Sequence, residues 1–109
     1  MDERLRVISL LDAYGTLLGD KARTILNDYY NEDLSLSEIA ELQAASRQAV
    51  HGQIKRAVAQ LYAFEDALGL LQRRESVLEI IQILQSPHLS DEERLACCAA
   101  LRKEIDYGI

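Results

Sequence analysis

Between residues 46 and 56 the chain reads Ser-Arg-Gln-Ala-Val-His-Gly-Gln-Ile-Lys-Arg, and these side chains are suited to holding an anionic polymer. Arg47 has the geometry to read a guanine edge and Gln48 an adenine edge through paired hydrogen bonds in a DNA major groove. Lys55 and Arg56 carry the positive charge that phosphates require, and Ser46 would start a helix whose free amide groups also face phosphate. His51 fits among them as a base or phosphate contact, although a solvated histidine on a helix surface is its plainer reading. Val50 and Ile54, spaced i, i+4, give the same segment an inward face.

A reading helix needs a second element to aim it, and the preceding residues supply one. In LSLSEIAE, Ser35 is a natural N-cap, and Glu38 three residues on can bond back to it, completing a capping box. Ile39 and Ala40 follow as one large and one small buried position. The small residue permits the close backbone approach of two helices crossing steeply. The expected unit is a helix-turn-helix at residues 35–58, with Ser46 capping its second helix.

Charge argues against a simple nucleic-acid binder, because the formal net charge is −6. Residues 20–58 hold five basic and six acidic side chains, and residues 59–109 hold five basic and nine acidic. Arg47 to Val58 nevertheless contains three basic residues and no acidic one. Any DNA contact is therefore local to the second helix and weak for a single subunit.

The surrounding elements are helical by composition: one Pro, five Gly, no Trp and 49% hydrophobic residues favour an all-α domain. Residues 3–18 form an amphipathic pattern through Leu5, Ile8, Leu11 and Leu18, widened by Val7, Leu10, Tyr14 and Leu17. Gly19 ends it, and Asp20 is placed to cap a helix over 21–31 with Ile25, Leu26, Tyr29 and Tyr30 facing inward. After the turn, residues 47–68 read as one long helix, since only Gly52 interrupts them before Gly69. Glu75 to Gln85 reads as a helix apolar around most of its circumference, through Val77, Leu78, Ile80, Ile81, Ile83 and Leu84. Such a helix must be covered on more than one side. Pro87 stops it, and Ser90 with Glu93 starts a last helix over 91–106, with Leu95, Cys98, Leu101 and Ile105 on one face. These divisions give a helical domain at 1–68 and a helical extension at 69–109, expected to serve dimerisation. The last helix folding back to cover the apolar face within one chain is the alternative to a homodimer.

Other constellations carry no chemistry. His51 and His88 lack neighbouring ligands at metal spacing. The acidic pairs Glu32-Asp33, Glu65-Asp66 and the run Asp91-Glu92-Glu93 fall at helix ends, where carboxylates favour the helix dipole, and no nucleophile or phosphate loop accompanies them. Cys97 and Cys98 are adjacent, unsuited to a structural bridge, and read as small core residues. The expectation is a non-enzymatic, cytoplasmic protein without cofactor or metal, with no membrane span.

The stretch from Leu10 to Leu71 resembles the YlxM family of small bacterial helix-turn-helix proteins. The residues that carry the resemblance are Tyr29 to Tyr30, Glu32 to Glu41, Ser46 to Val50, Ile54 to Arg56 and Leu68 to Leu70. A wider similarity is to the sigma factor region 4 that recognises the promoter −35 element, which shares the spacing of Glu38-Ile39-Ala40, Ser46 and Val50. The resemblance implies a cytosolic DNA-binding regulator. It also implies a link to the signal recognition particle pathway, because family genes commonly neighbour that of its GTPase or receptor. Double-stranded DNA is then the partner, with components of the protein-targeting machinery as the alternative for an adaptor that touches no nucleic acid. The chain departs from the family at the turn, where Gln43, Ala44 and Ala45 replace an apolar residue, Asn or Gly, and Val. If Ala44 is left-handed it costs about 1 kcal/mol, and Gly52 costs about another 1 kcal/mol relative to alanine.

Overall fold

Asp2 opens the first helix by accepting a hydrogen bond from the Arg4 amide at 3.0 Å. From there α1 spans Glu3–Tyr14 in the computed structural model, which describes residues 2–108 and side chains as far as Asp106. The helices α2 (Asp20–Tyr30), α3 (Leu36–Gln43), α4 (Arg47–Leu68), α5 (Leu70–Leu84) and α6 (Asp91–Gly108) follow. No strand occurs among the described residues, so the fold is all-α.

The chain divides into two compact units, one ending at Leu68 and one beginning at Gly69. In the first, α1, α2 and α3 each pack against α4. Val7, Leu10, Tyr14, Ile25, Leu26, Ile39, Val50 and Leu61 are its largest fully buried side chains. Each contributes roughly 1.5–3 kcal/mol by leaving water, which outweighs any single polar contact in the unit. The buried Tyr14 keeps its hydroxyl satisfied by donating to the Glu65 carboxylate at 2.5 Å, with its ring 6.1 Å from Phe64.

In several places the structure departs from the local pattern. The first helix ends at Tyr14, not Leu18, and a 3-10 turn over Gly15–Leu17 completes the segment. Gly15 is buried there, and a Cβ on it would meet a Leu11 methyl at 3.3 Å and the Arg23 side chain at 3.8 Å. The tight approach is to Leu11 one turn earlier, Arg23 of α2 lies at ordinary contact distance, and the poor helix propensity of glycine ends the α-helix. Leu5 and Leu17 are exposed, while Val7, Leu10, Leu11, Tyr14 and Leu18 are buried. Gly19 is the N-cap of α2, and Asp20 is its first residue, 3.6 Å from Arg23. Tyr29 and Tyr30 lie half-buried at the edge of the core.

In the second unit α5 and α6 pack on one another. Helix α5 starts at Leu70, five residues before the expected Glu75, immediately after Gly69 adopts a left-handed conformation (φ 63°). No side chain of α5 is buried. On α6 the packed residue is Cys97, not the Leu95–Ile105 face; Cys98 is exposed, Leu95 is 69% exposed and Ile105 62%. Folding back of the last helix therefore occurs, yet it leaves apolar sides of both helices in water.

Candidate nucleic-acid interface

The interface is built from the α3–turn–α4 unit. Ser35 accepts a hydrogen bond from the Glu38 amide at 3.1 Å, and the Glu38 carboxylate accepts one from the Ser35 amide at 3.1 Å, so the capping box forms as spaced. Hydrogen bonding of the carboxylate to Ser35, through the backbone amide first and the side chain second, holds the Glu38 carboxyl below its ordinary range. Helix α3 then ends on Ala44, whose left-handed backbone (φ 53°, ψ 43°) returns its N–H to the carbonyls of Ala40 and Glu41. The Ala45 amide also bonds the Ala40 carbonyl at 2.9 Å, tightening the turn. Two residues after Ala44, the Ser46 hydroxyl accepts from the Ala49 amide at 3.0 Å and caps the start of α4. Ile39 and Ala40 on one helix, Val50 and Ile54 on the other, are buried.

With Val50, Ile54, Ala57 and Leu61 turned inward, the 3.6-residue period puts Gln48, Gly52, Lys55 and Ala59 on the opposite side of α4. Arg47 and His51 flank that stripe on one edge and Arg56 on the other. Arg47, Gln48, His51, Lys55 and Arg56 are all exposed. The structure brings the six sequence-derived residues onto one helix start and its outward side. Gly52 lies beside a side chain from the next turn of its own helix. A Cβ there would stand 3.3 Å from an Arg56 guanidinium nitrogen, so the arginine lies back over the glycine.

Charge is one-sided at the start of α4, where Arg47 to Val58 holds three basic residues and no acidic one. Arg4 pairs with Asp33, Arg23 with Asp20 and Arg94 with Asp91. Among the described residues, Arg47, Lys55 and Arg56 have no such carboxylate partner. Two tyrosines elsewhere in the unit are held protonated beyond their ordinary range. Burial raises Tyr30, and burial together with a 3.0 Å hydrogen bond to Glu3 raises Tyr62.

Neither helix of the motif reveals in its own sequence how Arg4 serves it. Arg4 donates to the Tyr30 carbonyl at 2.9 Å and pairs with Asp33, clamping α1 to the end of α2 and to the turn that precedes α3. Asp33 is itself left-handed (φ 57°). Among the described residues no cluster of His, Cys, Asp or Glu could hold a metal, and no helix is long and apolar enough to cross a membrane.

A family described as "Putative helix-turn-helix protein, YlxM / p13 like" matches residues 1–99. Curated relatives agree. A UPF0122 protein of Clostridium kluyveri is 49% identical over 79 residues, covering 72% of this chain and 71% of its own length. One from Clostridium botulinum is 48% identical over 73 residues, 67% of each chain. One from Shouchella clausii is 39% identical over 97 residues, 89% of each. The chain belongs to the YlxM/p13-like helix-turn-helix family.

Proposed function

We propose that this protein is a DNA-binding regulator that uses α4 as its recognition helix. The observation that carries the reading is the cluster of exposed cations, Arg47, Lys55 and Arg56, on a stretch of α4 from Arg47 to Val58 that holds no carboxylate. In a chain of net charge −6, cations gathered along one helix segment fit an anionic partner. Arg47 and Gln48 approach base edges, while Lys55, Arg56 and the amides at the Ser46 cap meet phosphates. His51 stands beside them. The similarity to sigma region 4 supports transcription regulation as the process. Family gene neighbourhood supports the signal recognition particle pathway as its setting, in the cytoplasm, without catalysis.

We further propose a homodimer through the second unit. Leu78 is 51% and Ile83 50% exposed on α5, and Ile81 lies in water beside them. Two linked recognition helices would raise the affinity of a near-neutral reading head by about two orders of magnitude.

Fluorescence anisotropy with double-stranded genomic fragments over a salt series tests the DNA reading. Affinity should fall steeply with salt, and Arg47→Ala should lose about 1–3 kcal/mol. A flat, weak response would replace the reading with a protein-interaction adaptor of the targeting machinery.

A further inference from the structure

We propose that a groove beside the recognition helix docks an acidic amphipathic helix of a partner protein, and that this partner and DNA exclude one another. The groove has a volume of 330 Å³ and lies where the end of α2 and the start of α3 meet the middle of α4. Tyr29, Leu36, Ile54 and Val58 line its apolar part, and His51 and Lys55 stand on its edge. The volume is at the lower end of that of small-ligand sites, enough for one or two side chains of leucine or phenylalanine size.

Three features select the occupant. The first is the rigidity of the wall. The Tyr30 ring stands edge-on to Tyr29, with centroids 5.0 Å apart and planes at 86°. The Arg4 guanidinium lies 5.7 Å from the Tyr30 ring centre and bonds its carbonyl. A wall fixed in advance spares a ligand the entropy of ordering it. The second is chemistry: Leu36, Ile54, Val58 and the tyrosine rings make the lining mostly apolar, so a phosphate resting there would lose more hydration than the tyrosine hydroxyls replace. An apolar anchor fits, and DNA backbone does not. The third is charge. Lys55 is exposed and without a carboxylate partner, and no acidic residue occurs between Arg47 and Val58. A helix with apolar residues at i, i+4 and carboxylates one turn away satisfies the floor and the edge together. Lys55 then serves carboxylate or phosphate, not both. The exclusion half of the proposal rests on the DNA reading above; the docking half does not.

The test uses the intact protein and a short fluorescein-labelled helical peptide with Leu and Phe at i, i+4 and Glu on the opposite face. Binding by anisotropy should weaken roughly tenfold on Lys55→Glu, and by as much when the peptide's Leu and Phe become Ser or its Glu become Lys. Val58→Phe should block the groove. Ala59→Leu, at an exposed position on the same edge, narrows it without touching the core and keeps the test valid if the first variant misfolds. Arg47→Ala should leave peptide binding unchanged while weakening DNA. Absence of binding, or binding indifferent to the peptide's apolar face and to both groove variants, would overturn the docking site. Peptide and DNA bound to the same molecule at once would overturn exclusion. Peptide binding that behaves as expected in a protein that ignores DNA would overturn the DNA reading and sustain the docking site.

Discussion

Ala44 holds a left-handed backbone position that a Cβ makes unfavourable, and it does so at the turn between α3 and α4. The penalty for a non-glycine residue there is about 1–2 kcal/mol, offset in part by the roughly 0.5–1 kcal/mol of extra chain entropy that glycine loses on folding. Ala44→Gly should therefore raise stability by about 0.5–1 kcal/mol, read as a higher denaturant midpoint with an unchanged slope. A lower midpoint would show that the turn uses the alanine side chain. Asp33 shares the left-handed conformation, but its carboxylate pairs with Arg4, so glycine there would remove the clamp along with the strain. The family pattern, with Asn or Gly at this place, announced Ala44. Nothing near Asp33 announced its partner, which lies 29 residues away.

At the scale of the element, caps were the most legible signals, because a cap involves residues three apart whose contact the helix itself creates. Ser35 with Glu38, Ser46 with Ala49, and Ser90 with Glu93 all bond as the spacing implies. The Glu38 carboxyl, depressed by its bonds to Ser35, gives the capping box a pH dependence of definite sign. Its folded value lies below the ordinary 4.5, so the stabilisation is present above that pH and fades as pH falls through the depressed value. Thermal unfolding should show the intact protein losing stability across this window faster than Glu38→Gln, which keeps a hydrogen-bonding group but cannot titrate. Parallel curves for the two proteins would show that the carboxylate charge contributes nothing to the helix start. The end of α1 was not legible in this way. The 3-10 turn begins at the buried Gly15, although the leucine pattern runs on to Leu18.

For the whole molecule, the two units differ in how well they close. The first gathers eight large fully buried side chains around α4, whereas the second is a helix pair in which α5 buries none. Two helices alone have too few neighbours to cover a surface apolar around most of its circumference, and in the proposed dimer a second copy of the hairpin would supply the missing ones. Light scattering on the intact chain should give a dimer mass, reduced to the monomer by Ile81→Glu. A monomeric mass for the unmutated protein at about tens of micromolar, well above the dissociation constant of a functional dimer, would refute the homodimer.

The sequence by itself determined the helical class, the capping box, the turn between Gln43 and Ser46, and the buried pairs Ile39/Ala40 and Val50/Ile54. Each of these depends on contacts within a few residues, where the helical period fixes geometry in advance. The tertiary structure decided which of several apolar residues at helical spacing enters the core: Val7 and Leu10 over Leu5, Cys97 over Leu95. A stripe of leucines is wider than the face one neighbouring helix can cover, so the choice among them falls to the neighbour. It also decided that Arg4 pins Tyr30, 26 residues away, because a long side chain finds such a partner only after the helices have met.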